Sequence, residues 1–109
     1  EINGELFTEY FFTGKSHPWV GSAKGPDGKP VAVTNLPQHV YFFPLLGPGG
    51  ARMNRNWPMS ETPGEERDHP HHRSLWYSHG SVNGVDFWAE TPKAGKIVHD
   101  KFLEVKGGR

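Results

Sequence analysis

The sequence predicts an all-β protein: an antiparallel β-sandwich formed as a single β domain over residues 1–109. Three observations predict it. Fourteen glycines and ten prolines, about a fifth of the chain, break it too often for helices of ordinary length. Fourteen aromatic residues accompany them, which separates this composition from that of disordered segments. Only 61–67 offers a helical turn, and Pro63-Gly64 sits inside it.

Aromatic residues over 7–12 suit a first strand that ends near Gly14. Residues 19–23 and 31–34 flank Gly25-Pro26-Asp27-Gly28-Lys29, whose Pro-Asp-Gly core is a hairpin turn signal. Residues 39–46 read as a strand closed by the turn Gly47-Pro48-Gly49-Gly50. Residues 51–67 show neither a period of 2 nor one of 3.6, so they form a long polar loop of the kind that often carries function. An extended histidine segment and a strand at 75–78 follow. Asn83-Gly84 makes a turn, and 85–89 and 97–105 are the last strands. The chain starts at Glu1 and stops at Gly107-Gly108-Arg109, so the expectation is a fragment of a longer, larger supersandwich.

Composition narrows the function classes. Twelve basic and twelve acidic residues give a formal net charge of zero, so no nucleic-acid partner is expected. The longest apolar run, 40–46, holds seven residues and contains Pro44, against the roughly 20 of a membrane-spanning helix. With no signal peptide or transmembrane segment in this chain, the expectation is a soluble protein without membrane insertion. Cysteine is absent, which removes disulfides and thiolate metal sites and leaves the compartment open.

Four of the seven histidines fall within eleven residues, in Asp68-His69-Pro70-His71-His72-Arg73 and Ser78-His79-Gly80. Such groups titrate near neutral pH, ligate metals and hydrogen-bond polar substrates. Pro70 disfavours helical backbone at His69, so the segment is expected to run extended. His69 and His71 would then share a face and His72 would point to the other. Arg73 beside His72 would disfavour protonation of that imidazole.

Beyond these residues the chain resembles a known family. Arg55-Asn56-Trp57-Pro58-Met59, Gly64-Glu65, the histidine run through Trp76, and Asn83-Gly84-Val85-Asp86-Phe87-Trp88 resemble the PmoA-like family catalogued as "methane oxygenase PmoA". The resemblance extends from about 40 to 102. The membrane span that the oxygenase subunit of that name carries has no counterpart here. His79-Gly80, Gly84 and Trp88, with Arg55 and Arg73 upstream, are more loosely similar to aldose-mutarotase-like β-supersandwich proteins. That similarity implies a large antiparallel sandwich and a sugar gripped by arginine, histidine and a carboxylate, although no residue here is assigned as the base.

Three functional expectations follow. The leading one is a His/Arg-rich site for a polar small molecule such as a carbohydrate. His71, His79 and Asp86 would be its catalytic groups, and Arg55, Trp57, His69 and Arg73 would bind the substrate. Guanidinium offers paired donors to hydroxyls, and a loop tryptophan offers a stacking face. The second is a metal-dependent oxidoreductase or hydrolase in which His69, His71 and His79 hold a divalent metal, with Asp86 available to complete the set. The cupin pattern is a poor match, because Arg73, Ser74 and Leu75 stand where its glutamate would fall. The third is a non-catalytic structural domain, whose histidines satisfy buried polar groups and whose arginines pair with Glu65, Glu66 or Asp68. Trp76 and Trp88 are expected in the core, and His17, His39 and His99 as structural or solvated.

Overall fold

The structure, a computed structural model, describes residues 1–12 and 38–107. The predicted strands at 19–23 and 31–34, their turn and His17 lie outside the described residues. The class is all-β as expected: every strand pairing is antiparallel, and no α-helix occurs among the described residues. Among the described residues five short strands, β1 (Glu9–Phe11), β2 (Tyr41–Phe43), β3 (Leu75–Trp76), β4 (Ser81–Val82) and β5 (Val85–Asp86), form two sheets, β1-β2-β3 and β4-β5. These two sheets do not by themselves make a sandwich. No described helix is long and apolar enough to cross a membrane.

Alternation sorts the three-stranded sheet into two faces. Tyr41 pairs with Phe11 on one side and Trp76 on the other, while Phe42 pairs with Tyr10 and Leu75. The first row faces the core, where Tyr41, Phe43 and Met59 are buried and Phe11 and Trp76 pack against them. On the second row Tyr10 stacks on Phe42 at 4.8 Å between ring centres. His99 and Phe102 lie against that face, and His99 Nδ1 is 3.3 Å from the Tyr10 hydroxyl. The predicted last strand, 97–105, is therefore irregular chain. It offers Ile97 N–H to the Gln38 carbonyl and aromatic contacts, but no ladder. Val98, Leu103 and Val105 point to solvent, so no apolar row commits the segment to one face of a sheet.

Turn chemistry sets the shorter strands. Asn83 and Gly84 both have positive φ, 52° and 79°, the pair that a type I′ hairpin between β4 and β5 requires. Pro48–Gly50 forms a single 3-10 turn as the Gly-Pro-Gly-Gly run predicts, flanked by an isolated bridge between Leu46 and Arg52.

The long loop 51–67 departs from its polar reading, because it supplies part of the core. Trp57, Pro58 and Met59 are almost fully enclosed. Side chains satisfy the backbone that a strand would otherwise pair. The Glu65 carboxylate accepts from the N–H groups of Asn56 and Trp57 at 2.9–3.1 Å, and Asn56 Nδ2 donates to Thr62 Oγ1. Trp57 Nε1 donates to the Asp68 carbonyl at 3.0 Å. Trp57 is 1% exposed, which corrects its expected role as a stacking surface for substrate.

A buried ion pair ties the strands to the C-terminal loops. Arg73 Nε and Nη2 donate to the two Glu90 oxygens at 2.8–3.1 Å, with both side chains at most 3% exposed. Gln38 N–H also donates to Glu90 Oε1 at 3.2 Å, and Gln38 Nε2 donates to the Thr91 carbonyl. His39 Nδ1 lies 3.6 Å from the same Oε1, while its Nε2 donates to the Phe87 carbonyl. Burial pushes the Glu90 carboxyl up, but the contacts from His39 and Arg73 outweigh it and hold the group below the usual carboxylate range. Gly95 lies where the Phe87 ring leaves no room for a Cβ, and its N–H donates to the Asp86 carbonyl at 2.7 Å, which ties the turn after Glu90 back to β5. Arg73, expected at a substrate, is thus committed to the core.

Arg73→Ala should leave an unpaired buried carboxylate and cost about 3–5 kcal/mol of unfolding free energy. Arg73→Lys should recover only part of that, since an ammonium cannot reproduce the paired donors. Urea unfolding of both variants measures the losses, and a loss below about 1 kcal/mol for the alanine variant would remove the pair from its central place.

Candidate functional site

The histidine segment forms a turn where an extended chain was expected. His72 N–H donates to the His69 carbonyl at 2.9 Å, and His69 adopts φ 39°. Pro70 stands at the second position of this four-residue turn, where its fixed φ fits as well as it would in a strand. Closing the turn changes which imidazoles meet. His69 and His72 stack with ring centres 4.7 Å apart and planes 10° from parallel. His71 sets its ring edge-on to both, 5.6 Å from His69 and 4.4 Å from His72. One nitrogen from each of the three imidazoles lies within 4.8 Å of the other two. His72, assigned by alternation to the opposite face, is therefore a full member of the cluster.

Long-range contacts hold this turn. Arg55 Nη1 donates to Asp68 Oδ1, and Arg55 Nη2 donates to the carbonyls of Asp68 and His69 at 3.1 and 3.3 Å. With the Trp57 indole bonded to the same Asp68 carbonyl, the loop is clamped on the residue before the histidines. The Arg55 hydrogen bond keeps the Asp68 carboxyl below its ordinary range. Asp68 Oδ2 in turn lies 3.5 Å from His69 Nε2. Arg55 thus stands at the rim of the cluster, occupied by Asp68.

Environment favours the neutral forms of His71 and His72. Burial, then the neighbouring His72 and His69, push His71 down from 6.5 to about 4. His72 shifts in the same direction, through burial and the charges of His69 and Arg55. The direction expected for His72 is therefore found, but burial is its main cause, whereas sequence adjacency pointed to Arg73. His71 Nε2 and His72 Nε2 are enclosed with no hydrogen-bond partner among the described residues, a costly state for ring nitrogens.

An open cleft of about 430 Å³ adjoins the cluster through His72, lined also by Ser74, Trp76, Tyr77, Ser78 and Trp88. Both indoles contact His71 and His72, and they meet each other at 5.2 Å. Trp88 is 46% exposed, so it forms a cleft wall where a core position was expected. Ser74 Oγ accepts from Asn54 Nδ2 at 2.7 Å, which leaves its hydroxyl hydrogen for a further acceptor.

The remaining expected site residues fall elsewhere. His79 is exposed and borders a separate apolar recess with Tyr77, Val82, Phe87 and Ile97. Asp86 Oδ1 accepts from the Trp88 N–H at 2.7 Å, a local turn contact. The structure thus assembles His69 and His71 with His72, keeps Arg55 behind them, and places Trp57 and Arg73 inside. The sequence reading missed His72 as a partner and Glu90 as the buried acid. Pro70 at a turn position was the available signal for His72; nothing local marks Glu90.

A family described as "Family of unknown function (DUF6807)" matches the chain over residues 1–109. No curated protein and no solved structure matches it. This corrects the resemblance to "methane oxygenase PmoA" and to mutarotase-like proteins, because nothing in the comparisons links the chain to either. A short run of similar residues does not by itself transfer a reaction. The arginines and histidine behind the mutarotase similarity also do not converge, since Arg73 is buried against Glu90 and His79 borders another recess.

With His71 and His72 depressed, the unfolded chain takes up protons before the folded one does. The stability due to their neutral forms should be complete above about pH 6.5 and should fall as the pH drops towards about 4. Melting temperatures measured in chelator across that window read the effect. A combined His71→Asn and His72→Asn variant should flatten the slope there, and an already flat wild-type profile would refute the assignment.

Proposed function

The chain belongs to the DUF6807 family, whose function is unknown, and from that premise we propose that it holds a divalent transition metal at His69, His71 and His72. The metal acts on a small polar molecule in the adjoining cleft. The observation that carries this reading is the convergence of three imidazole nitrogens within 4.8 Å. Tetrahedral zinc at its usual distance from nitrogen separates its ligands by about 3.3 Å, so small side-chain rotations close the site. The downward shifts of His71 and His72 support it, because protons then compete less with metal for those two rings at neutral pH. Zinc, copper and iron all accept imidazole. Three neutral ligands leave a coordination position open, as in catalytic sites. Bound there, the metal supplies Lewis-acid activation of a water or ligand oxygen.

For the ligand, the cleft favours a carbohydrate or a similarly hydroxylated ring. Trp88 and Trp76 offer apolar ring faces, and Ser74 and Tyr77 offer hydroxyls. Among the described residues no Lys, Arg, Asp or Glu lines the cleft, so side-chain recognition there rests on hydroxyls and aromatic faces. The grip on the sugar thus moves from Trp57 and Arg73 to the indoles beside His72.

Elemental analysis of protein purified without a histidine tag tests the metal. We expect stoichiometric zinc, copper or iron, lost in His71→Ala. Absence of metal from the wild type, even after incubation with each ion, would sink the reading. Trp88→Ala should keep the metal and weaken by at least tenfold any sugar binding seen by calorimetry on the metal-loaded protein. Equal affinities for variant and wild type would take the ligand out of this cleft.

A further inference from the structure

We propose that the three histidines bind their metal unequally, His69 through Nδ1 and His71 and His72 through Nε2, with Asp68 as the positioning residue that sets the difference. The inference rests on the metal reading above and adds which atoms face the ion.

His69 differs from its partners. Its side chain is 58% exposed, so packing does little to orient it beyond the stack on His72. Asp68 supplies what packing does not. One carboxylate oxygen is taken by Arg55 Nη1, and the other lies 3.5 Å from His69 Nε2. The Arg55 contact to Oδ1 restrains the Asp68 side chain, while its carbonyl is held by Arg55 Nη2 and by the Trp57 indole. A carboxylate facing one imidazole nitrogen places the ring proton there and leaves the other nitrogen as the basic donor. For His69 that donor is Nδ1, the nitrogen nearer the main chain, which sets the ion close over the turn.

His71 and His72 have the opposite polarity. Their Nε2 atoms are the enclosed ones without a hydrogen-bond partner among the described residues. A ligated ion would satisfy both atoms. In this arrangement Arg55 and Asp68, half of which was expected at the substrate, act through His69 and do not touch the ligand.

Long-range proton–nitrogen correlation spectra of uniformly ¹⁵N-labelled wild-type protein loaded with zinc read the protonated and metallated nitrogen of each ring. The expected result is His69 metallated at Nδ1 with its proton on Nε2, and His71 and His72 metallated at Nε2. Metal at His69 Nε2 overturns the inference, including the case in which Asp68 itself becomes a ligand. Zinc binding that leaves His69 unperturbed overturns it as well. Asp68→Asn, with its fold checked by melting, should weaken zinc binding by about 10–100-fold and give His69 a mixed tautomer spectrum. Unchanged affinity in that variant counts against the positioning role. A wild-type protein that takes up no zinc, copper or iron fails earlier, at the metal reading itself.

Discussion

The Arg73–Glu90 ion pair is the constraint on which the described architecture depends. Neither side chain can reach water, so each holds the other at the cost of leaving a bare charge. The pair also sets the chain path. Arg73 leads directly into β3, and Glu90 lies in the loop that follows the β4-β5 hairpin. Gln38 and His39, just ahead of β2, contact the same carboxylate. One carboxylate thus ties the approaches to the paired strands β2 and β3 to the loop beyond the separate β4-β5 hairpin.

This matters because the strands are too short to organise the fold alone. Two- and three-residue strands contribute few ladder hydrogen bonds, and the apolar core is small. Side chains take over the backbone's hydrogen bonding: Glu65 for Asn56 and Trp57, Asp86 for Trp88, Arg55 for Asp68 and His69. Charged and polar residues that a sequence reader assigns to ligands are spent on this work. Arg73 is the clearest case, and Arg55 is a partial one.

The candidate metal cluster follows from the same economy. Arg73 is buried immediately after the histidine turn, while Arg55 and Trp57 clamp the residue immediately before it. Between these fixed ends the turn brings three imidazoles together, with His71 and His72 against Trp76 and Trp88. Partial burial both depresses the basicity of His71 and His72 and leaves their Nε2 atoms without partners among the described residues. The features that suit a metal are by-products of how the turn is anchored, and they lie beside an open cleft.

The all-β class was legible because glycine, proline and aromatic content limit helices whatever the tertiary context. The Asn83-Gly84 hairpin was legible because its φ requirement is local. The histidine run marked the site for a compositional reason, yet its geometry was misread. Pro70 fits an extended chain and a turn equally well, and only the anchors at Arg55, Trp57 and Arg73 decide between them. Burial of Trp57 and the choice of Glu90 as partner for Arg73 were also beyond reach, since they join residues 11 and 17 positions apart with no local pattern to pair them. Local backbone preferences and composition are properties of the sequence itself. Which imidazoles meet, and which charges are spent inside, depends on long-range partners that only the folded chain brings together.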